Sequence, residues 1–248
     1  MGFSMIVGAT RISQPFFLNS SQFSPLKLRY QPARRVRRMS VSANNSVVEH
    51  VVLFNVKQGI DDSVVSDMLK SLNSLSTLEG VLQLSAGPIQ RISSPIPFSH
   101  MLHSRYPSKE ALSGYANHPA HIEAVKNHVL PTCADLLAVD WLFPNPSSVV
   151  LSAGSEVRIT FMKLKEGVDS GAKERILEGL KGNGSPCSCG ENFSPARAKG
   201  FSIASLVEFS RPSVVESDKS VEEAARDDVE SAIVVDYVVP MATSHANL

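Results

Sequence analysis

The chain has 248 residues, of which 43% are apolar and 19% charged; that composition suits one large or two small domains and excludes a wholly disordered chain. No run of about 18 apolar residues offers a membrane-spanning helix. The 24 Lys and Arg residues balance 24 Asp and Glu, and zero net charge argues against nucleic acid or an anionic membrane as a partner.

The charge is unevenly spread. No acidic residue precedes Glu49, while Arg11, Lys27, Arg29, Arg34, Arg35, Arg37 and Arg38 all do. The other 200 residues carry 17 basic against 24 acidic groups, a mildly acidic body that strengthens the exclusion of nucleic acid. A basic, serine-rich, acid-poor leader is the signature of an organellar transit peptide. Val41-Ser42-Ala43 suits a processing peptidase, and the chloroplast is the expected destination. The alternative is a basic tail that binds nucleic acid or anionic lipid. Myristoylation is rejected, because Ile6 stands where Ser or Thr is needed. At the other end, Ala246-Asn247-Leu248 resembles a weak peroxisomal tripeptide, so the peroxisome is the alternative compartment.

From Glu49 the pattern is that of packed structure. His50 to Val56 reads as a strand, apolar on both faces and ended by Gly59. Asp61 to Ser63 offers helix caps, and Val65, Met68, Leu72 and Leu75 recur at helical spacing. Val81 to Leu84 is a short strand stopped near Gly87-Pro88, and Phe98 to Arg105 a third strand. Pro107-Ser108 caps a short helix through Gly114. His118-Pro119 opens another, striped by Ile122, Val125 and Val129 and stopped by Pro131. Leu136 to Phe143 completes a β-α-β-β-α-β unit of ferredoxin-like type.

The rest of the chain repeats this order. Gly59 after the first strand is echoed by Gly167; Gly87 and Phe98 by Gly190 and Phe201; Asp140-Trp141 by Asp236-Tyr237. Helices are expected over Gly171–Leu180 and Val221–Val229. The expected fold class is therefore α+β, with two ferredoxin-like units closing sheet to sheet into an α/β barrel, since each sheet needs a cover on its second face. This is an intramolecular pseudo-dimer or a dimer of tandem chains. The expected boundaries are 1–47 for the leader, 48–144 for the first unit, 145–153 for a linker, 154–240 for a second, degenerate unit and 241–248 for a tail. Cys187-Ser188-Cys189 is read as part of a Gly/Pro/Ser loop; one Cys-x-Cys pair with Cys133 makes neither a disulfide framework nor a zinc site.

The most telling segment is Tyr115-Ala116-Asn117-His118-Pro119-Ala120-His121. The two histidines lie three apart at a helix start, where both can face one side. Zinc would need a third ligand, and His-x-x-His-x-Glu is not a metalloprotease pattern. With His50 on the first strand and Phe98-Ser99-His100 at the third, the segment resembles the plant stress-response dimeric α/β-barrel family, well over 48–143 and weakly over 155–240. The resemblance implies small, stable barrels that self-associate, with no cofactor required. It also implies, from a polyketide cyclase with this fold, that His121 is a general base and Tyr115 orients or donates to a substrate carbonyl, with His50 and His100 in support. Candidate ligand contacts are His118, Phe54 and Phe98. A magnesium ion at the end of the first helix, on carbonyls of the Asn73, Ser76 and Glu79 segment, is a further implication. Imidazole suits proton abstraction near neutral pH, and a phenol can stabilise a developing oxyanion.

The second copy departs from this pattern. Arg158 stands in the place of His50, Ile203 in that of His100, and no Tyr or His-Pro-Ala-His precedes its last strand. Only the first unit can use histidines. Three functions compete: a stress or defence barrel that holds a small hydrophobic or aromatic ligand, or a protein partner, in the barrel; a cofactor-free cyclase or monooxygenase-like enzyme; and an assembly scaffold. His100 and His103 lie on opposite faces of their strand, so only one can line the barrel.

Overall fold

The structure is a computed structural model and describes residues 46–144, 146, 149, 151–181, 187–209 and 227–240. Residues 1–45 of the leader, the C-terminal tripeptide and residues 221–226 of the expected last helix lie outside these, while Val47, expected to end the leader, opens the first strand.

The first unit runs β1 (Val47–Val56), α1 (Asp62–Ser74), β2 (Gln83–Pro88), β3 (Arg91–Ser93), β4 (His100–Tyr106), α2 (Lys109–Ala116), α3 (Pro119–Ala124), a π-helical turn (Val125–Val129), α4 (Leu130–Thr132) and β5 (Cys133–Phe143). The second runs β6 (Glu156–Leu164), α5 (Ser170–Lys181), β7 (Cys187–Glu191), β8 (Phe201–Phe209) and β9 (Val229–Val238). The sheets have the same antiparallel order, β2-β4-β1-β5 and β7-β8-β6-β9, as duplication requires.

Local chemistry starts the helices where the sequence places them. Asp61 caps α1, its carboxylate accepting the Ser63 N–H at 2.7 Å, and Ser108 caps α2 through the Ala111 N–H at 3.2 Å. Pro131 does not stop the third helix. The π-helical turn precedes it, and the chain stays helical to Thr132. β2 ends at Pro88, as expected, but begins at Gln83 rather than Val81; it is an edge strand, where a proline without an N–H is tolerated. Cys187 to Cys189 form a strand, not a loop, pairing with Val207 to Ser205 of β8. Val229, expected to end a helix, begins β9.

Strand alternation sorts the side chains to two faces. Val51, Leu53, Leu137, Val139 and Trp141 of the first sheet meet Val157, Ile159, Phe161, Leu206, Val235 and Tyr237 of the second in one buried cluster. The two sheets thus cover each other within one chain. On the opposite face of the first sheet, Val48, Phe54, Leu102 and Tyr106 pack with Met68 and Leu72 of α1 and Leu112 and Tyr115 of α2. On the far side of the second sheet, Met162 and Ile203 pack with Ile176 of α5.

The repeated landmarks have physical causes. A Cβ on Gly190 would lie 3.1 Å from the Leu142 carbonyl oxygen and from Trp141, and one on Gly87 would lie 3.0 Å from Pro240 and 3.5 Å from the Tyr237 hydroxyl. Each glycine leaves room for the aromatic end of the other unit's last strand. Trp141 Nε1–H donates to Ser188 Oγ at 3.0 Å, and Tyr237 O–H donates to Ser85 Oγ at 3.4 Å. The linker is also part of the core. Val149 and Leu151 are buried in the inter-sheet cluster, and their carbonyls accept from Arg105 Nη1 at 2.8 Å and Gln83 Nε2 at 2.9 Å. Strand β3 has no counterpart in the sequence reading. It crosses to the second sheet and pairs Arg91, Ile92 and Ser93 with Asp236, Val235 and Val234 of β9.

Candidate functional site

Tyr115, at the end of α2, is buried, and its ring lies 4.6 Å from His121 on α3 and 5.1 Å from Tyr106 at the end of β4. Tyr106 in turn stands 6.3 Å edge-on from His50 of β1. These four rings form a continuous row on the helix-covered face of the first sheet. They do not line the space between the sheets, which mainly apolar side chains fill. Of the two β4 histidines it is His103 that points there: its Nε2 donates to Glu49 at 2.6 Å, and Arg105 Nε donates to the same carboxylate at 3.0 Å, all three residues buried.

Each end of the row has a fixed tautomer. His121 Nδ1 lies 3.0 Å from the Ala116 carbonyl oxygen; a carbonyl only accepts, so Nδ1 carries the hydrogen and Nε2 of the neutral ring keeps its lone pair. His50 Nδ1 lies 2.5 Å from Asp140 Oδ1. The pair is a direct consequence of register, since β1 and β5 place His50 opposite Asp140. In the second unit the same register brings Arg158 to Asp236, bonded twice at 2.7 and 2.9 Å. An ion pair there takes the place of the histidine–carboxylate pair.

Burial sets the protonation of the row. It lowers the pKa of His121, opposed by the bond to Ala116 and aided by the charges of His50, Arg197 and His118. It raises Tyr115 to about 12, partly offset by a hydrogen bond with Tyr106, and raises Tyr106 further. Near neutral pH, His121 is therefore an unprotonated base and both tyrosines keep their protons. Burial opposes ionisation of Asp140, but the hydrogen bond and charge of His50, with a hydrogen bond from Ser194, outweigh it and hold the carboxyl below its ordinary value.

His50, Tyr115 and His121 are thus brought together, and the other expected residues are not. His100 is half-buried and hydrogen-bonded to Ser99 Oγ at 2.9 Å. It sits four residues along β4 from Ser104, the register partner of His50, a separation of about 13 Å at roughly 3.3 Å per residue. Phe54 pairs with His100 at that same far end and is helix-side core. Phe98 belongs to the inter-sheet core, on the wrong side of the sheet to meet a ligand at the row. His118 is exposed, and its Nδ1 accepts the Ala120 N–H at 3.2 Å as the cap of α3. At the end of α1, Asn73 spends its amide on β2: Nδ2 donates to the Ala86 carbonyl and Oδ1 accepts the Ala86 N–H, both at 2.9 Å. The Asn73 and Leu75 carbonyls accept within the segment, while Ser76 and Glu79 are exposed. Among the described residues no three of His, Cys, Asp and Glu gather as a metal set.

Tyr106 and Asp140 are the members of the candidate site that sequence reasoning missed. Asp140 stood out only as a repeat landmark. Its alignment with Asp236, opposite positions occupied by His50 and Arg158, was the available signal for a polar pair.

The stress responsive A/B barrel domain matches residues 48–143. The chain is 42% identical to a stress-response A/B barrel domain-containing protein of Arabidopsis thaliana, over 96% of this chain and 97% of that one. It is 38% identical to a second protein of that description from the same plant, over 80% of this chain and all of the other. Among solved structures, a Fusobacterium nucleatum protein with a provisional monooxygenase name aligns with 79% of this chain and 93% of its own at a TM-score of 0.54 and 14% identity. A similarly named protein of Lactobacillus acidophilus gives 0.50 at 11% identity, over 78% and 93%. These two show that the tandem ferredoxin-like arrangement recurs. With two relatives matched over most of its length and a matching first domain, the chain belongs to the stress-response A/B barrel domain family.

Proposed function

We propose that the chain binds a small aromatic or hydrophobic carbonyl compound at the His50–Tyr106–Tyr115–His121 row, between the first sheet and helices α2 and α3. The observation that supports this is the paired polarity of the row. An accepting imidazole nitrogen and a protonated phenol stand side by side against buried apolar surface, a setting in which a ligand's hydroxyl and carbonyl find partners. The row lies on the helix-covered face of the first sheet, whereas the sequence suggests a seat in the barrel interior, which the inter-sheet core occupies.

A second reading, cofactor-free proton-transfer catalysis of cyclase or monooxygenase-like type, is favoured by the tautomer of His121. Its Nε2 is the basic nitrogen and its ring stands beside Tyr115, so His121 would take a proton next to a carbonyl while Tyr115 donates to the resulting oxyanion. His50 and Asp140 would support the far end of the row. Neither reading needs a metal.

A thermal-shift screen of aromatic polyketides and fatty acyl compounds, run on wild type and His121→Ala, tests the binding. At least one compound is expected to stabilise wild type by several degrees and the variant by much less. The stabilisation is expected to fade as pH drops below the lowered pKa of His121, because the protonated ring loses its acceptor. Equal shifts for both proteins would remove His121 from the site. We further propose that residues 1–47 direct import into the chloroplast, with the peroxisome through Ala246-Asn247-Leu248 as the alternative, and that the protein serves in stress or defence. Fluorescent fusions lacking either end decide the compartment.

A further inference from the structure

The site of the first unit is completed by a loop of the second. Between β7 and β8, residues 192–200 lie along β5, the last strand of the first sheet. Asn192 Oδ1 accepts the Asp140 N–H at 3.0 Å and also the Ser194 N–H at 3.0 Å, and its Nδ2 donates to the Phe201 carbonyl at 3.2 Å. The Phe193 N–H donates to the Asp140 carbonyl at 3.0 Å. Ser194 hydrogen-bonds the Asp140 carboxylate itself. The Phe193 ring packs on the helix-side core of the first unit, beneath Lys109 Nζ at 4.1 Å.

Duplication supplies an internal control. The equivalent loop of the first unit lies along β9, and there the Gln90 N–H donates to the Asp236 carbonyl at 3.0 Å. The Ile89 N–H donates to Ser99 at 2.9 Å, as the Asn192 N–H donates to Ser202 at 2.8 Å. Phe193 thus matches Gln90, and Asn192 matches Ile89. The backbone bond to the aspartate occurs in both halves and belongs to the fold. The amide clamp on the aspartate N–H is found at the aspartate that holds a histidine, since isoleucine has no polar side-chain atom to offer at the other. There, Ile89 packs against the inter-sheet core, and the side chain of the first unit that approaches Asp236 is a cation, Arg91 at 3.8 Å, beside the two bonds from Arg158.

We propose that Asn192 is a positioning residue acting across the two halves, holding Asp140 and, through it, the His50 ring, so that the second unit has lost its own histidines but remains a working part of the first unit's site. The proposal rests on the reading of His50–Asp140 as part of that site. Removing the Asn192 amide leaves the Asp140 N–H without its acceptor and frees Ser194, and both changes loosen the carboxylate that fixes the His50 tautomer.

Nitrogen-15 NMR of the imidazoles, on the whole chain, tests this directly. In wild type, His50 is expected to show a downfield, slowly exchanging Nδ1–H. In Asn192→Ala that signal is expected to disappear by fast exchange, with the His100, His103 and His121 signals and the thermal midpoint kept. Ser194→Ala, which removes one bond to the carboxylate, is expected to broaden the same signal alone. An unchanged His50 signal in both variants would overturn the proposal. So would a collapse of all imidazole signals together with the midpoint, since that is a purely structural role. The ligand screen with His121→Ala fails or succeeds independently of this readout, which separates the failure of the clamp from the failure of the site.

Discussion

At the residue scale, ionisable groups sit on both faces of one sheet and do different work. Outside, under the helices, His50, Tyr106, Tyr115 and His121 form the candidate site. Inside, Glu49, His103 and Arg105 are a closed, buried ion cluster. Burial works to raise the Glu49 pKa, but His103 and Arg105 outweigh it and leave it lowered. A carboxyl with a lower pKa folded than unfolded stabilises the fold above its unfolded value, and that contribution is lost as pH falls through the folded value. Glu49→Gln is therefore expected to cost about 3–5 kcal/mol at neutral pH, the range for breaking a buried pair. It should also flatten the acid slope of stability. Urea denaturation of both proteins at pH 7 and pH 4 measures the two effects. The His-Pro-Ala-His segment, Tyr115 and His50 were legible as chemistry in the sequence. Tyr106 and Asp140 were not, because their roles depend on which residues stand opposite one another across strands.

At the element scale, helix starts were readable from capping side chains, since the partners are two or three residues away. Strand ends and crossings were not. β3 is three residues long, too short for any periodicity, and only the second sheet's open edge gives it a partner. Glycine spacing was visible as repetition, but its cause lies in the other unit. Gly190→Ala should be destabilised by about 1–3 kcal/mol, as overpacking predicts, because its Cβ would meet backbone and the Trp141 side chain at 3.1 Å. Gly114 lies in α2, where an added Cβ would meet nothing within 4 Å; Gly114→Ala should instead stabilise by about 0.5–1 kcal/mol through helix propensity. Chemical denaturation of the two variants reads both signs.

At the scale of the whole molecule, the largest core is shared. Neither sheet has a separate interior on its inner face, since each covers the other. The described body should therefore unfold in one cooperative transition and elute as a monomer, because the face that would pair with a second copy is already covered. Calorimetry showing two separate transitions would contradict the shared core, and light scattering showing twice the chain mass would contradict the monomer. The sequence by itself determined the duplication, the α+β class and the residue types of the site, because caps, periodicity and repeated landmarks are local or ordered along the chain. Only the tertiary structure showed that the candidate site residues gather under the helices rather than in the barrel, that Asp140 pairs with His50, and that a loop of the second half hydrogen-bonds Asp140. Those facts depend on strand register and on which face of a sheet a side chain takes, and both are set by contacts between residues far apart in the chain.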